Sequence, residues 1–218
     1  MQTRQVFLSG GTGYVGQALV RKLIDRGHRA RVLARAGSER KVPAGAEVVQ
    51  GNPLNPSTFA SAVSAADTFV QLTGVAHPAP WKGQAFRAID LVSLKASAEV
   101  AKSAGVAHFV YVSVAQPAPV MKAYIRVRQE GEAILKTLGL TTTILRPWYV
   151  LGPGHRWPAA LAPLYALLEA IPATRDGARR LGLVTLEQMT SALVWAVENP
   201  PTESRILDVP AIRAIPGY

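Results

Sequence analysis

Some residue types are missing or scarce in this chain of 218 residues, and each absence excludes a class of protein. There is no cysteine, so disulfide frameworks, thiolate metal sites and cysteine nucleophiles are excluded. No run reaches the ~18 apolar residues that a membrane-spanning helix needs, and no apolar signal region precedes the first predicted strand. We therefore expect a cytoplasmic protein without a membrane span.

Acidic residues are also few, with 14 Asp and Glu against 24 Lys and Arg, which gives a net charge of +10. Such a surplus can serve binding to nucleic acid or to an anionic membrane surface. The basic residues are dispersed, however, and the densest group, at 175–180, contains Asp176 and no aromatic residue. We expect a surface that favours anionic ligands in general, and no specific nucleic-acid partner.

The residues that are present suffice for one hydrophobic core. A content of 49% hydrophobic and 17% charged residues is typical of a globular enzyme-like protein. The length suits a single α/β domain with a small C-terminal addition. We expect one domain over residues 1–218, in which 152–218, beginning where the composition shifts, contribute a small substrate or lid region.

The most informative motif is a glycine-rich turn near the N terminus. An apolar run from Gln5 to Ser9 ends in glycines at positions 10, 13 and 16, and an amphipathic segment follows at once. Glycine permits the positive φ of the turn and the close approach of a pyrophosphate, and a helix N terminus presents unpaired N–H groups to the anion. The pattern predicts a dinucleotide-binding loop; a glycine-rich turn without a ligand is the alternative.

The residue at the end of the second predicted strand, Arg35, bears on the choice of cofactor. An acidic residue there would bond the ribose hydroxyls of NAD, whereas an arginine can pair with a 2′-phosphate. Arg35 therefore predicts NADP in preference to NAD, and Arg40 and Lys41 either reinforce this site or are solvated loop charges. After the third strand, Asn52 is either an adenine contact or a turn former.

Strands and helices continue to alternate along the rest of the chain. Further strands are predicted at 67–72, 108–113, 141–145 and 205–209, and helices at 55–65, 84–104, 120–138, 158–171 and 185–198. The apolar segment 158–171 fits a lid over an apolar substrate, an oligomer contact or ordinary core. The two long helices 84–104 and 120–138 are expected to be exposed and to offer a face for a possible homodimer.

Three residues in the segment 113–128 carry candidate chemistry. Ser113 ends a buried strand, and Tyr124 and Arg128 share one face of a helix because they are four residues apart. A fixed cation favours a phenolate, so Tyr124 can act as an acid or base while the Ser113 hydroxyl orients a carbonyl. The alternative is an ordinary surface helix in which Arg128 pairs with Glu132.

In combination these segments resemble the short-chain dehydrogenase/reductase superfamily, in its atypical NAD(P)-binding branch near the NmrA-like and NAD-dependent epimerase/dehydratase-like proteins. The resemblance is carried by residues 10–16, Arg35, Gly51 and Asn52, residues 109–113, Tyr124 with Arg128, and residues 143–147. It implies a Rossmann-type doubly wound parallel sheet with helices on both faces. Members use a serine or threonine, a tyrosine, and a lysine four residues after the tyrosine; Arg128 departs from this pattern.

The resemblance also implies a set of site residues. The catalytic residues are expected to be Ser113, Tyr124 and Arg128, and no metal site is predicted. The cofactor contacts are expected at Gly10, Thr12, Gly13, Tyr14, Val15, Arg35, Asn52, Leu54, Leu72, Thr73, Gly74, Val112, Arg128, Pro147, Trp148 and Tyr149.

Two functions follow as hypotheses. The first is an NADP-dependent oxidoreductase or epimerase/dehydratase-like enzyme that acts on an unidentified small carbonyl, sugar or quinone substrate. The second is a non-catalytic NADP(H)-binding redox sensor or scaffold, because an arginine replaces the lysine and the C-terminal region is small.

Overall fold

The computed structural model describes residues 2–154 and 171–217. Seven strands of this part of the chain form one parallel sheet in the order β3-β2-β1-β4-β5-β6-β9, and β7 and β8 form a separate parallel pair. The strands are β1 Gln5–Ser9, β2 Arg29–Ala34, β3 Glu47–Gln50, β4 Thr68–Gln71, β5 His108–Val112, β6 Thr142–Leu145, β7 Tyr149–Leu151, β8 Leu183–Thr185 and β9 Arg205–Leu207.

The helices lie between the strands of this doubly wound arrangement. They are α1 Tyr14–Asp25, α2 Gly83–Ala85, α3 Val92–Ser103, α4 Lys122–Thr137, α5 Pro172–Arg180, α6 Leu186–Glu198 and α7 Val209–Ala214. A π-helical segment, Phe86–Leu91, joins α2 to α3 without a break. Short 3-10 helices occur at Glu39–Lys41, Pro56–Thr58 and Ala60–Val63.

Both faces of the sheet are covered, which explains why its strands are apolar runs rather than alternating ones. In β1, Val6 and Leu8 point into the core cluster formed with α1 and α6. Phe7 points to the opposite face, covered by α3 and α4, where the Phe69 ring lies 5.1 Å from that of Phe7 and 5.2 Å from that of Phe109, centroid to centroid.

Strand β1 lies at the point where the strand order reverses. From β1 the chain runs outward to β2 and β3 on one side and to β4, β5 and β6 on the other. Ser9, the last residue of β1, pairs with Leu33 of β2 and Gln71 of β4. The loops after these three strands therefore lie side by side, at the edge where open α/β sheets bind ligands.

The predicted helix 55–65 is wrong. This segment forms only the two short 3-10 helices between β3 and β4. The Asn55 side chain accepts the N–H of Ser57, which starts a turn, and Phe59 has a φ of −141°, outside the helical range. Local side-chain bonding thus outcompetes the helical pattern.

The predicted helices 84–104 and 120–138 are formed, but neither is exposed on all sides. Each buries one face, and the two pack against each other so closely that a Cβ on Gly131 of α4 would lie 2.4 Å from a methyl carbon of Leu94 in α3. A homodimer formed through their outer faces stays a prediction.

The C-terminal region contributes to the main core. Thr185 is the N-cap of helix α6 and forms a reciprocal capping box with Gln188, and the helix packs on α1. Elements β7, β8, α5 and α7 were not predicted from the sequence. The predicted helix 158–171 lies outside the described residues except for Ile171. No helix in the described ranges is both long and apolar enough to cross a membrane.

Candidate active site

The glycines of the loop between β1 and α1 are required for different reasons. A Cβ on Gly10, whose φ is +87°, would lie 2.6 Å from the carbonyl carbon of Leu72, and a Cβ on Gly16 would lie 2.2 Å from the Gly10 oxygen. Packing within the protein therefore requires glycine at positions 10 and 16. A Cβ on Gly13 would approach only the Gly10 oxygen, at 3.3 Å. The bare backbone at Gly13 instead fits the close approach of a ligand.

The N terminus of α1 is open toward this loop. Its N-cap, Gly13, has no side chain to bond the first N–H groups, and the first turn contains no acidic residue. The N–H groups of Tyr14 and Val15 and the positive end of the helix dipole therefore face the loop. The Gln17 amide holds the loop by donating to the Thr12 carbonyl at 3.0 Å. This arrangement fits a pyrophosphate.

Two other predicted cofactor contacts follow the neighbouring strands. Arg35 comes directly after β2, and its exposed side chain makes no ion pair within residues 2–154 and 171–217. Asn52 follows β3, and its side-chain oxygen accepts the N–H of Leu54 at 3.0 Å. Asn52 thus forms the turn after β3, and its contact with an adenine stays a prediction. Because β2 and β3 are parallel, both residues lie at one edge.

Arg128 occupies the carboxyl ends of β4 and β5 and is buried there. Its Nη2 atom lies 2.6 Å from Oδ1 of Asp90 in an ion pair. Its Nη1 atom donates to the Val112 carbonyl at 3.1 Å and to the Tyr111 hydroxyl at 3.2 Å. The guanidinium carbon lies 4.9 Å from the centroid of the Tyr124 ring. The structure thus brings together the predicted Tyr124, Arg128 and Val112.

The alternative pairing of Arg128 with Glu132 on a surface helix is not formed. The face of α4 that carries Arg128 is buried against β5 and the π-helical segment, where Asp90 supplies the counter-charge. Glu132 pairs instead with Arg146, which follows β6.

Burial and charge act against each other at this centre. Burial raises the pKa of Asp90, and this effect outweighs the lowering by the Arg128 charge and by the Val75 N–H, which donates to Oδ2 at 2.9 Å. Burial alone would lower the pKa of Arg128. The neighbouring Tyr111, Tyr124 and Asp90 raise this pKa by more than burial lowers it, so the guanidinium stays charged. Burial also raises the pKa of Tyr111, which remains a neutral phenol.

Gly74 and Thr73 continue β4 into this centre. A Cβ on Gly74 would lie 2.8 Å from Nη2 of Arg128 and 3.0 Å from Oδ1 of Asp90, so the ion pair leaves room only for glycine. The Thr73 hydroxyl is 2.6 Å from the Ser9 hydroxyl at the end of β1. These contacts connect the Arg128 centre to the glycine loop along the same sheet edge.

Ser113 belongs to a second polar cluster, one helical turn further along α4. Its hydroxyl donates to Oε1 of Glu132 at 2.6 Å. The same oxygen accepts from Gln116 at 3.0 Å and from Nε of Arg146 at 3.0 Å, and Nη2 of Arg146 bonds the other carboxylate oxygen. Because its one proton is given to Glu132, the Ser113 hydroxyl in this arrangement can accept a further hydrogen bond but not donate one.

The predicted nicotinamide-side residues follow β6. Pro147 is buried, and its carbonyl accepts the N–H of Ala115 at 2.9 Å. Trp148 and Tyr149 are half-buried and meet edge to face, with their ring centroids 5.6 Å apart. Their place at the carboxyl end of β6 is the same edge that holds the glycine loop.

Two residues of the site were missed in the sequence. Asp90 carried a usable signal, because it is an acidic residue between Ile89 and Leu91 in an otherwise apolar helical run. Tyr111 carried none, because an aromatic residue in a buried strand looks like ordinary core. In the described ranges no group of three or more His, Asp or Glu side chains is arranged to hold a metal ion.

Comparison with known proteins agrees with the geometry of the glycine loop. Residues 10–155 match the model of a family described as NAD(P)H-binding. The chain belongs to this NAD(P)H-binding family. The predicted place among NAD(P)-binding Rossmann proteins near the epimerase/dehydratase group is thereby confirmed.

Two curated relatives of this NAD(P)H-binding protein match most of its length. Ceramide reductase of Caulobacter vibrioides is 26% identical over 197 residues, which cover 89% of this chain. The chain spans 61% of the length of that reductase. An uncharacterized sugar epimerase of Bacillus subtilis, YhfK, is 26% identical over 215 residues, which cover 94% of this chain and 93% of the epimerase.

Solved structures confirm the predicted fold. The Bordetella bronchiseptica enzyme WbmH, in complex with NAD+, superposes with a TM-score of 0.71 at 17% identity, over 95% of this chain and 76% of WbmH. The UDP-N-acetylglucosamine 4-epimerase of Bacillus cereus gives 0.69 at 14% identity, over 94% of this chain and 75% of that one. At these identities the likeness concerns the fold of the NAD(P)H-binding protein.

Proposed function

We propose that this protein is an NADP(H)-dependent oxidoreductase that acts on a small carbonyl or alcohol substrate, with Tyr124 as its acid and base. The observation that carries the proposal is the buried Arg128 guanidinium, 4.9 Å from the Tyr124 ring centroid, on the sheet edge that also holds the glycine loop. Relatives named as reductases and as a sugar epimerase support this class of chemistry.

The cofactor is proposed to lie along the carboxyl edge of the sheet, and the open N terminus of α1 fits its pyrophosphate. Arg35 would hold a 2′-phosphate, Asn52 and Leu54 would lie beside the adenine, and the other contacts would be made by Gly10, Thr12, Gly13, Tyr14, Val15, Leu72, Thr73, Gly74, Val112, Arg128, Pro147, Trp148 and Tyr149. A bound nicotinamide supplies or accepts a hydride.

Tyr124 is proposed to move the proton that accompanies this transfer. In reduction its phenol gives a proton to the substrate oxygen, and in oxidation its phenolate takes the proton of the substrate hydroxyl. The charged Arg128 guanidinium lies beside the ring of this phenol. An arginine is never deprotonated, so unlike the family's lysine it supplies charge and not a proton. Tyr124, which is half-buried, would regain its proton from water.

A non-catalytic NADP(H) sensor or scaffold is the second candidate, and the position of Ser113 favours it. Because the Ser113 proton is donated to Glu132 at 2.6 Å, this hydroxyl can orient a substrate carbonyl only after that bond is given up. The sensor would use the same glycine loop and Arg35 and would need neither Tyr124 nor Ser113.

Cofactor preference is tested by calorimetric titration of the purified protein with NADPH and, separately, with NADH. For Arg35→Ala we expect NADPH affinity to fall about tenfold to a hundredfold, because a charge-assisted bond to phosphate is lost, with NADH affinity unchanged. Arg29→Ala, which removes an exposed cation at the opposite end of β2, is the matched control and should behave like the wild type. If neither nucleotide binds, both proposed functions are lost.

Catalysis is tested with a panel of carbonyl, quinone and nucleotide-sugar substrates and the Tyr124→Phe variant. Turnover that this variant lowers by about a hundredfold or more would support the oxidoreductase. Tight NADPH binding without turnover of any substrate would favour the sensor. Turnover that Tyr124→Phe leaves unchanged would contradict the role assigned to Tyr124.

A further inference from the structure

Two loops border Tyr124 on the substrate side, residues 74–82 after β4 and residues 113–121 after β5; we call them the entrance loops. Val75 of the first and Met121 of the second pack in one apolar cluster with Phe86 and Tyr124. The chain stays paired just beyond the loops, since a Cβ on Gly83 would lie 3.4 Å from the Cβ of Ala123. The outer residues of both loops therefore occupy one surface.

The tip of the first entrance loop presents an unusually exposed indole. Trp81 is 82% exposed, more than any other large hydrophobic side chain in the described ranges. The loop beneath it is held in shape, because the Lys82 ammonium donates to the carbonyls of Ala76 at 3.0 Å and His77 at 2.8 Å. On the second entrance loop Val120 is 53% exposed. Two apolar side chains thus project from fixed loops beside the candidate active site.

The two segments that carry these side chains are basic. The segments 75–89 and 113–129 contain no acidic residue. Lys122 and Arg126 at the start of α4 are exposed, whereas Arg87 is already paired with Glu130 at 3.1 Å. An apolar tip with lysine and arginine around it is the arrangement that favours the boundary between lipid headgroups and acyl chains.

We propose that the entrance loops dock on an anionic lipid surface, with Trp81 at the level of the headgroups and with Lys122 and Arg126 facing lipid phosphates. The net charge of +10 supplies attraction at longer range. A single indole at a loop tip suits this surface better than single-stranded nucleic acid, which binds along successive aromatic platforms. The docking needs no membrane-spanning helix.

The docking also assigns a class of substrate, and this part rests on the function proposed above. The residues by which the entrance loops join the cluster of Tyr124 are Val75 and Met121, and both side chains are apolar. The substrate is then an amphipathic molecule whose carbonyl or hydroxyl reaches Tyr124 while its apolar part stays near the lipid.

The test is co-sedimentation of the full chain with vesicles of phosphatidylcholine alone and of phosphatidylcholine mixed with phosphatidylglycerol. We expect binding to the anionic vesicles and little to the neutral ones. Trp81→Ser should lower the partition coefficient about tenfold, and Lys122→Glu with Arg126→Glu should lower it by more. Ile206→Ser, which removes a 50% exposed apolar side chain on strand β9, is the matched control and should leave the partition coefficient unchanged.

Three outcomes would overturn the docking surface. They are no binding to anionic vesicles, an equal loss in Ile206→Ser, and binding of a single-stranded oligonucleotide that depends on Trp81 while lipid binding does not. NADPH titration of Trp81→Ser separates the two proposals, because its affinity should equal that of the wild type. Binding to vesicles without binding of any dinucleotide would contradict the proposed function and would leave the docking proposal standing.

Discussion

Two of the ion pairs of helix α4, those of Arg128 and Glu132, have opposite polarity and lie four residues apart. Arg128 pairs with Asp90 of the π-helical segment, and the exposed fractions of the two side chains are 7% and 0%. Glu132 pairs with Arg146 after β6, and the fractions there are 12% and 23%. The spacing along the helix favours a direct Arg128–Glu132 pair, yet each residue takes its partner from another element. Ion-pair partners from other elements are therefore preferred over the partner four residues away in the helix. Because the Arg128–Asp90 pair is the more buried one, the loss of one partner should cost more stability there.

The Arg128–Asp90 pair is expected to be the more costly to break. In Asp90→Asn the buried guanidinium loses its counter-charge, and we expect the free energy of unfolding to fall by about 3–5 kcal/mol. Urea denaturation measures this loss. Glu130→Gln, which breaks the exposed Arg87–Glu130 pair, is the matched control and should cost about 0–1 kcal/mol.

A double variant shows whether the loss comes from the uncompensated charge. Asp90→Asn with Arg128→Met should regain most of the stability, because no buried charge is left without a partner. If the double variant is as unstable as the sum of both single variants, the pair does not act as a unit. NADPH affinity should stay low in the double variant, since Arg128 is a proposed cofactor contact.

His108 extends the comparison to a buried ionisable group that has no acidic partner among residues 2–154 and 171–217. Burial, followed by the charges of Arg205 and Arg4, lowers its pKa from 6.5 to about 4. As pH falls from 6.5 to 4 the unfolded chain takes up a proton that the folded protein refuses, so stability is lost across this window, by up to about 3 kcal/mol. Its Nε2 atom lies 2.9 Å from the Thr143 hydroxyl.

His108→Gln should remove this loss, because the amide can keep the bond to Thr143 and does not titrate. Urea denaturation at several pH values should give a shallower decrease between 6.5 and 4 for the variant than for the wild type. An unchanged slope would mean that His108 takes up its proton over the same pH range in the folded and in the unfolded protein, contrary to the effect of its burial.

The Glu132–Arg146 pair should be the less costly to break. Glu132→Gln keeps the shape and one acceptor oxygen for Ser113, Gln116 and Arg146, and Arg146 is exposed enough to be solvated. We expect a loss of about 1–2 kcal/mol in urea denaturation. A loss equal to that of Asp90→Asn would show that burial does not set the difference between the two pairs.

The glycine loop could be predicted from the sequence because the residues that determine it are close together in the chain. The turn, the close approach to the ligand and the open helix end all depend on residues 9–16, and the strand before them and the helix after them fall where the pattern predicts. The position of Arg35 directly after β2 could be predicted for the same reason, while its contact with a 2′-phosphate stays a prediction. The doubly wound parallel sheet and most of its strands were predicted correctly.

Only part of the Arg128 centre could be predicted from the sequence, because its residues come from four separate segments. The i, i+4 spacing predicts that Tyr124 and Arg128 share a face, and they do. The partner of Arg128 is Asp90, 38 residues earlier in the chain, and no local pattern connects the two. The predicted helix at 55–65 was wrong for the opposite reason, because a local interaction decides the structure there. The hydrogen bond that the Asn55 side chain accepts starts a turn instead of a helix.

Ser113→Ala should change stability less than the substitutions of Asp90, His108 and Glu132 do. It bears most directly on function. The hydroxyl is one of several donors to Glu132, so its loss should cost about 1 kcal/mol of stability and leave NADPH affinity unchanged. If Ser113 only positions Glu132, turnover of an identified substrate should fall no more than the folded fraction does. A fall of about a hundredfold or more with unchanged stability would mean that the hydroxyl leaves Glu132 and bonds the substrate during the reaction.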